Sequence, residues 1–189
     1  MTTGRVSRFF SQVDQRELAL CQMINRSQRF RPLHLYFHIV SRLGDGWFWY
    51  ALILAMPVLR PRDGLAIALL MVASGLTCTI TYKYLKSRLV RERPFISFPS
   101  ISCGSPPLDR YSFPSGHTLH AVCFNTIVAV MAPDLALALI PFTLSVAASR
   151  VVLGLHYPTD VAAGAVIGGG VGLLASYQLS ENFIMLFAL

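Results

Sequence analysis

Apolar residues run along this chain in long blocks broken by short polar clusters. Five blocks stand out, at residues 43–59, 65–85, 119–131, 135–153 and 161–179. A helix needs about 20 residues to cross the hydrocarbon core of a bilayer, so each block reads as a membrane span. The first and third are short and must recruit neighbours at their ends. Residues 30–40 either extend the first span or form a short re-entrant helix. Polar breaks at 60–63, 86–117, 133–134 and 156–160 separate the blocks.

The N-terminal stretch follows another pattern. Val6, Phe9, Phe10, Val13, Leu20 and Ile24 recur at helical spacing, and Arg5, Arg8, Arg16, Glu17 and Arg26 fill the other positions. This predicts an amphipathic helix lying in the membrane interface; a partly disordered basic tail is the alternative. The expected fold is all-α, an integral-membrane helical bundle of about five to six transmembrane helices with an N-terminal amphipathic helix. Residues 1–31 form the amphipathic segment and 32–189 the membrane domain. Trp47, Trp49 and Tyr50 suit an aromatic belt or ordinary packing. Gly164, Gly168 and Gly172 fall four apart in the last block, which allows close helix approach, within the monomer or at a dimer seam.

Composition agrees with a lipid environment. The 189 residues are 54% hydrophobic and only 13% charged, with a mean hydropathy of +0.55, whereas soluble domains carry about 25% charged residues. With this apolar content, the net charge of +7 points to an anionic membrane surface or substrate rather than to nucleic acid. The four cysteines, Cys21, Cys78, Cys103 and Cys123, show no metal-ligand spacing; Cys78 and Cys123 sit in apolar runs and read as buried thiols. Residues 1–31 carry six arginines and no continuous apolar core, so no signal peptide is expected.

Three polar clusters sit at the ends of apolar blocks, and ionisable groups at membrane depth are functional candidates by default. In the first, Lys86 and Arg93 are seven apart, with Pro94 following. On a continued helix they share a face and suit a phosphate, while Arg88 and Arg91 point elsewhere; a basic topology anchor is the plain alternative. The second is Pro114-Ser115-Gly116-His117, just before the third block. Ser115 is a candidate helix cap, Gly116 lets backbone approach a ligand, and the helix start offers free N–H groups to an anion. His117 is placed to donate a proton to a leaving oxygen, unless the segment is a simple loop-to-helix turn. In the third, Ser149-Arg150 precedes His156 by six residues, and Asp160 follows His156 by four. That spacing permits a carboxylate–imidazole contact that would improve the other ring nitrogen as a nucleophile; a capped helix junction with an incidental histidine is the alternative.

Taken in order, Lys-x6-Arg-Pro, Pro-Ser-Gly-His and Ser-Arg-x5-His-x3-Asp resemble the signature of the type 2 phosphatidic acid phosphatase (PAP2) superfamily at every position. The resemblance covers roughly residues 65–174, with small bacterial membrane members the nearest match. It implies a phosphatase acting on a lipid phosphate or diphosphate through a phosphohistidine. His156 resembles the nucleophile, Asp160 its orienting partner, and His117 the general acid and later base. Lys86, Arg93 and Arg150 resemble a phosphate clamp, helped by Ser115 and the Gly116 amide, with Ser149 adding a hydrogen bond. No metal or cofactor is implied, because the cations take that electrostatic role. The implied substrates are phosphatidic acid, phosphatidylglycerophosphate, undecaprenyl diphosphate and a lipid A phosphate; the sequence does not choose among them, and it leaves the oligomeric state open.

His34 and His38, four apart, have no carboxylate nearby to complete a metal site, and His120 reads as helix packing one turn after His117. A catalytically silent lipid-binding member would be expected to have lost His117, His156 or Arg150; a transporter would show charged residues in mid-span or paired broken helices. Soluble members of the superfamily lack the five spans. Residues 95–113 and the N-terminal helix are expected to shape the entrance. With five spans, the clusters and the N-terminus share one face, which carries fourteen of the sixteen Lys and Arg residues. The positive-inside rule puts that face in the cytoplasm of a plasma-membrane protein, although many bacterial relatives face the periplasm.

Overall fold

Apolar runs without water can satisfy their backbone as helices. The computed structural model describes the backbone of residues 3–187 and the side chains of residues 10–179. It contains no strand among those residues. The helices are α1 (Thr3–Arg26), α2 (Arg31–Gly44), α3 (Trp47–Leu59), α4 (Gly64–Arg88), the single-turn α5 (Pro94–Ser97), α6 (Gly116–Met131), α7 (Pro133–Val152) and α8 (Pro158–Phe187). Among the described residues, three stretches are long and apolar enough to cross a membrane: Gly64–Arg88, Pro133–Val152 and Pro158–Leu179. The apolar helices α3 and α6 are shorter, at 13 and 16 residues, and cover roughly 20 and 24 Å at 1.5 Å per residue. The chain is a multi-pass membrane protein.

The outer surface is apolar. Leu54, Val58, Leu69, Leu137 and Val166 all face outward, as lipid contact requires. Inside, Trp49, Met56, Ile67, Met71, Leu119, Ile127 and Val146 form one buried cluster. Trp49 packs there against Phe124 and Phe142, with ring centroids 5.4 and 5.5 Å away, while Trp47 and Tyr50 are exposed. Cys78 and Cys123 are buried as expected, and Cys21 is buried as well. At the end of the bundle away from the three clusters, Arg60 pairs with Asp63 at 3.0 Å and with Asp134 at 2.9 Å, tying the α3–α4 turn to the start of α7.

The glycines of α8 serve packing inside the monomer. A Cβ on Gly164 would lie 2.6 Å from the Ser115 carbonyl oxygen, and one on Gly172 2.8 Å from that of Cys123. At Gly168 it would fall onto the Leu119 carbonyl. Three glycines one turn apart thus seat α8 directly on the backbone of α6.

Two elements differ from the sequence expectation. The first apolar block is not one span: it breaks at Asp45–Gly46, where Gly46 has φ 139°. Residues 30–40 belong to the separate helix α2, which lies along α7 with Tyr36 Oη 2.7 Å from Ser145 Oγ. In α1, Glu17 does not join the polar face. The face turned to the protein carries Phe10, Asp14, Glu17, Cys21 and Asn25, and Leu20 is exposed. Asn25 Nδ2 donates to the carbonyls of Ser102 and Val152, each at 3.0 Å. The side chains of Arg5, Val6, Arg8 and Phe9 lie outside the described residues.

Candidate functional site

The ends of α4 and α7 and the starts of α6 and α8 meet at one end of the bundle, which brings the three sequence clusters together. Lys86 closes α4, His117 opens α6, Arg150 ends α7 and Asp160 lies in the first turn of α8. His156 lies in the turn between α7 and α8, folded back on the end of α7: the amides of Leu155 and His156 both donate to the Arg150 carbonyl at 3.0 Å. The turn needs Gly154 at φ 72°, since a Cβ there would lie 2.6 Å from the Ser102 carbonyl oxygen.

The helix α4 does not continue to Pro94. It stops at Arg88, and Arg93 arrives on an extended segment that caps α5. Arg93 is buried all the same and still reaches the site. Its Nη1 donates to the Leu155 carbonyl at 2.9 Å and stands 3.2 Å from His156 Nε2. A guanidinium only donates, so Nε2 is the acceptor and the imidazole proton sits on Nδ1. That nitrogen faces Asp160 Oδ2 at 3.5 Å, beyond a hydrogen bond, and His156 Nδ1 has no hydrogen-bond partner among the described residues. Burial first, then the charges of Arg93, Arg150 and Lys86, hold the His156 imidazole well below its ordinary value. It is therefore neutral, with the Nε2 lone pair turned toward Arg93.

Asp160 makes its shorter contacts elsewhere. Its Oδ2 accepts from the Tyr157 amide at 2.9 Å and its Oδ1 from Arg91 Nη1 at 2.5 Å. The sequence pattern turned Arg91 away from the site; the structure turns it inward. Arg91 donates to Asp14 at 2.6 Å, Glu17 at 2.9 Å and Thr159 at 2.8 Å, and its guanidinium lies 3.9 Å from the Tyr157 ring centre. Burial disfavours its charge, but Asp160, Asp14 and Glu17 outweigh that and push its pKa up.

Ser115 caps α6, accepting from the Thr118 amide at 3.4 Å, while its own amide donates to the Asp160 carbonyl at 3.1 Å. A Cβ on Gly116 would lie 3.6 Å from the Tyr82 ring, ordinary contact, so local crowding does not demand glycine there. Ser149 Oγ donates to the Val146 carbonyl at 2.6 Å within its own helix. Arg150 Nη1 donates to Ser41 Oγ at 2.5 Å, and its buried Nε has no partner among the described residues. His117 Nε2 is hydrogen-bonded to Asp45, at the α2–α3 break. His120 packs as expected, its Nδ1 2.8 Å from the Gly116 carbonyl and its Nε2 3.2 Å from that of Gly75. Lys86 and Arg93 both bind Asp109, at 2.7 and 2.8 Å. Burial raises the Asp109 pKa, but those two cations outweigh it and lower it overall.

Asp45, Arg91 and Asp109 are thus absent from the sequence-derived set, together with Asp14 and Glu17. Asp45 carried one signal, an ionisable residue beside a glycine within an apolar block. A cavity of about 880 Å³ joins the site to the bundle wall. Asp45, Lys86, Arg93, His117, Arg150 and His156 line its polar end; Trp49, Ile53, Leu54, Met71, Val72 and Leu76 line an apolar stretch between α3 and α4.

The family model of the PAP2 superfamily matches residues 63–184. Decaprenylphosphoryl-5-phosphoribose phosphatase of Mycobacterium tuberculosis is 31% identical over 140 residues, 71% of this chain and 74% of the relative. Lipid A 1-phosphatase of Rhizobium etli is 38% identical over 65 residues, 34% of this chain and 28% of the relative. Among solved structures, LpxE of Aquifex aeolicus superposes with a TM-score of 0.74 at 24% identity, covering 84% of this chain and 93% of the other. The first transmembrane PAP2 type phosphatidylglycerolphosphate phosphatase from Bacillus subtilis superposes with a TM-score of 0.65 at 21% identity, covering 94% and 95%.

Proposed function

The chain belongs to the PAP2 superfamily, and we propose that it is a membrane phosphatase removing phosphate from a lipid phosphate or polyprenyl diphosphate through a phosphohistidine. The candidate substrates remain phosphatidic acid, phosphatidylglycerophosphate, undecaprenyl diphosphate and a lipid A phosphate, with residues 32–189 as the phosphatase domain. One observation carries this reading: a buried neutral histidine, with its acceptor nitrogen toward Arg93, opens on a cavity that is cationic at one end and apolar along the membrane helices. Curated relatives bearing the names of lipid-linked phosphatases support it.

In the proposed reaction the His156 Nε2 lone pair attacks phosphorus and the bond from phosphorus to the lipid oxygen breaks. His117 gives that oxygen a proton. Water then attacks the phosphohistidine, His117 takes its proton, and phosphate leaves with the histidine restored. Arg93 moves its Nη1 donor from Nε2 to a phosphoryl oxygen and, with Arg150, balances the charge that develops there. Those fixed cations do what a metal ion does elsewhere, so the reaction is proposed to be metal-independent. Asp160 positions the Nδ1–H of His156, and Asp45 positions His117.

The test is phosphate release from phosphatidic acid by purified protein in EDTA-containing buffer, with rapid-quench labelling by radioactive lipid phosphate. Wild type should turn over and trap an acid-labile phosphoenzyme, and His156→Ala should do neither while keeping a wild-type size-exclusion profile. Full activity in His156→Ala, or activity that needs added magnesium, refutes the mechanism. The site is proposed to face the cytoplasm, on the charge asymmetry above.

A further inference from the structure

The helix that carries Asp160 cannot complete its own first turn. In α8, Pro158 has no N–H, and the amides of Asp160 and Val161 both donate to the Tyr157 carbonyl, at 3.0 and 3.2 Å. Asp160 Oδ2 reaches back to the Tyr157 amide at 2.9 Å, which is one half of a capping box. The other half needs a short polar side chain at the cap position to accept from the amides of the first turn, and Tyr157 has none. Glu17 of α1 supplies the acceptor from 142 residues away: its Oε1 takes the Thr159 amide at 2.8 Å and its Oε2 the Thr159 hydroxyl at 2.7 Å. A carboxylate there also suits the positive end of the helix dipole.

The same Glu17 oxygen takes Arg91 Nη2 at 2.9 Å. A guanidinium has five N–H donors, and on Arg91 all five are placed: two on Asp14 and one each on Glu17, Thr159 and Asp160. The Asp14 and Glu17 side chains are only 13 and 12% exposed, so these contacts are not the weak pairs of an open surface. Through them α1 holds Arg91, Arg91 holds Asp160, and Asp160 Oδ2 faces His156 Nδ1 at 3.5 Å. When Nε2 attacks phosphorus the imidazole ring gains positive charge, and a carboxylate fixed beside Nδ1 stabilises it. We propose that Glu17 is a positioning residue for the nucleophile: by capping α8 and bracing Arg91 it fixes Asp160 against His156, which makes α1 part of the catalytic unit and not a membrane tether alone. This inference rests on the phosphatase reading above and extends it to α1.

The test is single-turnover phosphoenzyme formation by the purified full-length protein in detergent, followed by rapid quench with radioactive phosphatidic acid or farnesyl phosphate. Its rate constant does not depend on how much of the protein is folded. Glu17→Ala should lower that constant by about tenfold to a hundredfold, the scale of a misplacement on the order of 1 Å. Inhibition by inorganic phosphate should stay within about twofold of wild type, because Glu17 does not line the cavity that holds the cations. Glu17→Gln keeps a carbonyl acceptor for the Thr159 amide and should fall between wild type and Glu17→Ala. Arg16→Gln, at an exposed position of the same helix, should match wild type. A Glu17→Ala constant within about twofold of wild type overturns the proposal even if its melting temperature drops, since the contact then only stabilises the fold. Equal losses in Glu17→Ala and Arg16→Gln overturn it as well, as for a plain tether, and so does phosphate inhibition that weakens as much as the rate, as for a site loosened throughout. Should Glu17→Ala not fold, Glu17→Gln carries the test, and a loss of less than about twofold refutes the assignment. Wild type inactive on both phosphatidic acid and farnesyl phosphate instead removes the phosphatase reading itself, and this inference with it.

Discussion

Replacing Arg91 by methionine should destabilise the protein more than any change at its neighbour Arg88, although the two look alike in sequence. The Arg91 side chain has no exposure, and neither has that of its partner Asp160. Four side chains accept from it: Asp14, Glu17, Thr159 and Asp160. Methionine keeps most of the stem volume but leaves the Asp160 carboxylate buried with only the Tyr157 amide and the Ser112 hydroxyl among the described residues to compensate it. Removing one partner of a buried ion pair costs about 3–5 kcal/mol. On the soluble-protein scale of about 2–4 °C per kcal/mol for a chain of this size, thermal unfolding in detergent should move down by roughly 6 °C or more. Arg88 is exposed, 5.6 Å from the Tyr84 ring, and Arg88→Met should stay within about 0.5 kcal/mol of wild type. Arg91→Met with Asp160→Asn removes both charges, so the double variant should be less destabilised than the sum of the singles. An Arg91→Met protein as stable as Arg88→Met, or strict additivity in the cycle, refutes this account of the network.

Three further outcomes follow from the geometry. If His117 protonates the leaving oxygen, His117→Ala should lose less kcat/KM on p-nitrophenyl phosphate than on a lipid alkoxide substrate, because a good leaving group needs less protonation; equal losses within about twofold would leave His117 as structural, and Asp45→Asn should follow the His117→Ala pattern more weakly. Gly168→Leu should unfold at lower temperature, by at least the 1–3 kcal/mol typical of overpacking, since the Leu119 carbonyl already occupies the Cβ position, whereas Gly170→Ala has open space and should remain near wild type; similar melting points for the two would contradict the α6–α8 contact. Cys103 is the exposed cysteine among the described residues and lies at the site end of the bundle, so a membrane-impermeant maleimide should label it only after the cells are opened if that end is cytoplasmic; labelling in intact cells would reverse the orientation.

What could be read from the sequence was what lies close together along it. Each motif occupies a few residues at the end of an apolar run, so Lys86, His117, Arg150 and His156 could be assigned to one face from the alternation of runs and breaks. The glycine spacing in α8 was legible for the same reason, as residues one turn apart share a helix face. Apart from Asp160, four residues after His156, the carboxylates around the site could not be assigned to their cations. Asp14 meets Arg91 across 77 residues, Asp45 meets His117 across 72 and Asp109 meets Lys86 across 23, and no periodicity records which cation an acid will find. The apolar pattern of α1 even misassigned Glu17, because in this helix the docking face is partly charged.

These long-range pairings explain a feature that composition leaves odd. A chain with sixteen basic and only nine acidic residues places Asp14, Glu17, Asp45, Asp109 and Asp160 around its motif residues rather than spreading them over the basic face. The reason is dielectric. Arg91 and Arg93 are almost wholly buried, and a buried charge without a partner is far costlier than an exposed one, whereas the arginines of the outer surface are compensated by water and by anionic lipid. The few acids are therefore most stabilising at the site end, where cations leave solvent. Arg150 differs in having no carboxylate in hydrogen-bond contact: its Nη1 donates to the neutral Ser41 hydroxyl, its Nε has no partner among the described residues, and Asp45 and Asp109 act on it from further away. A buried guanidinium held in that state is stabilised most by an incoming anion, and it stands beside the lone pair of His156.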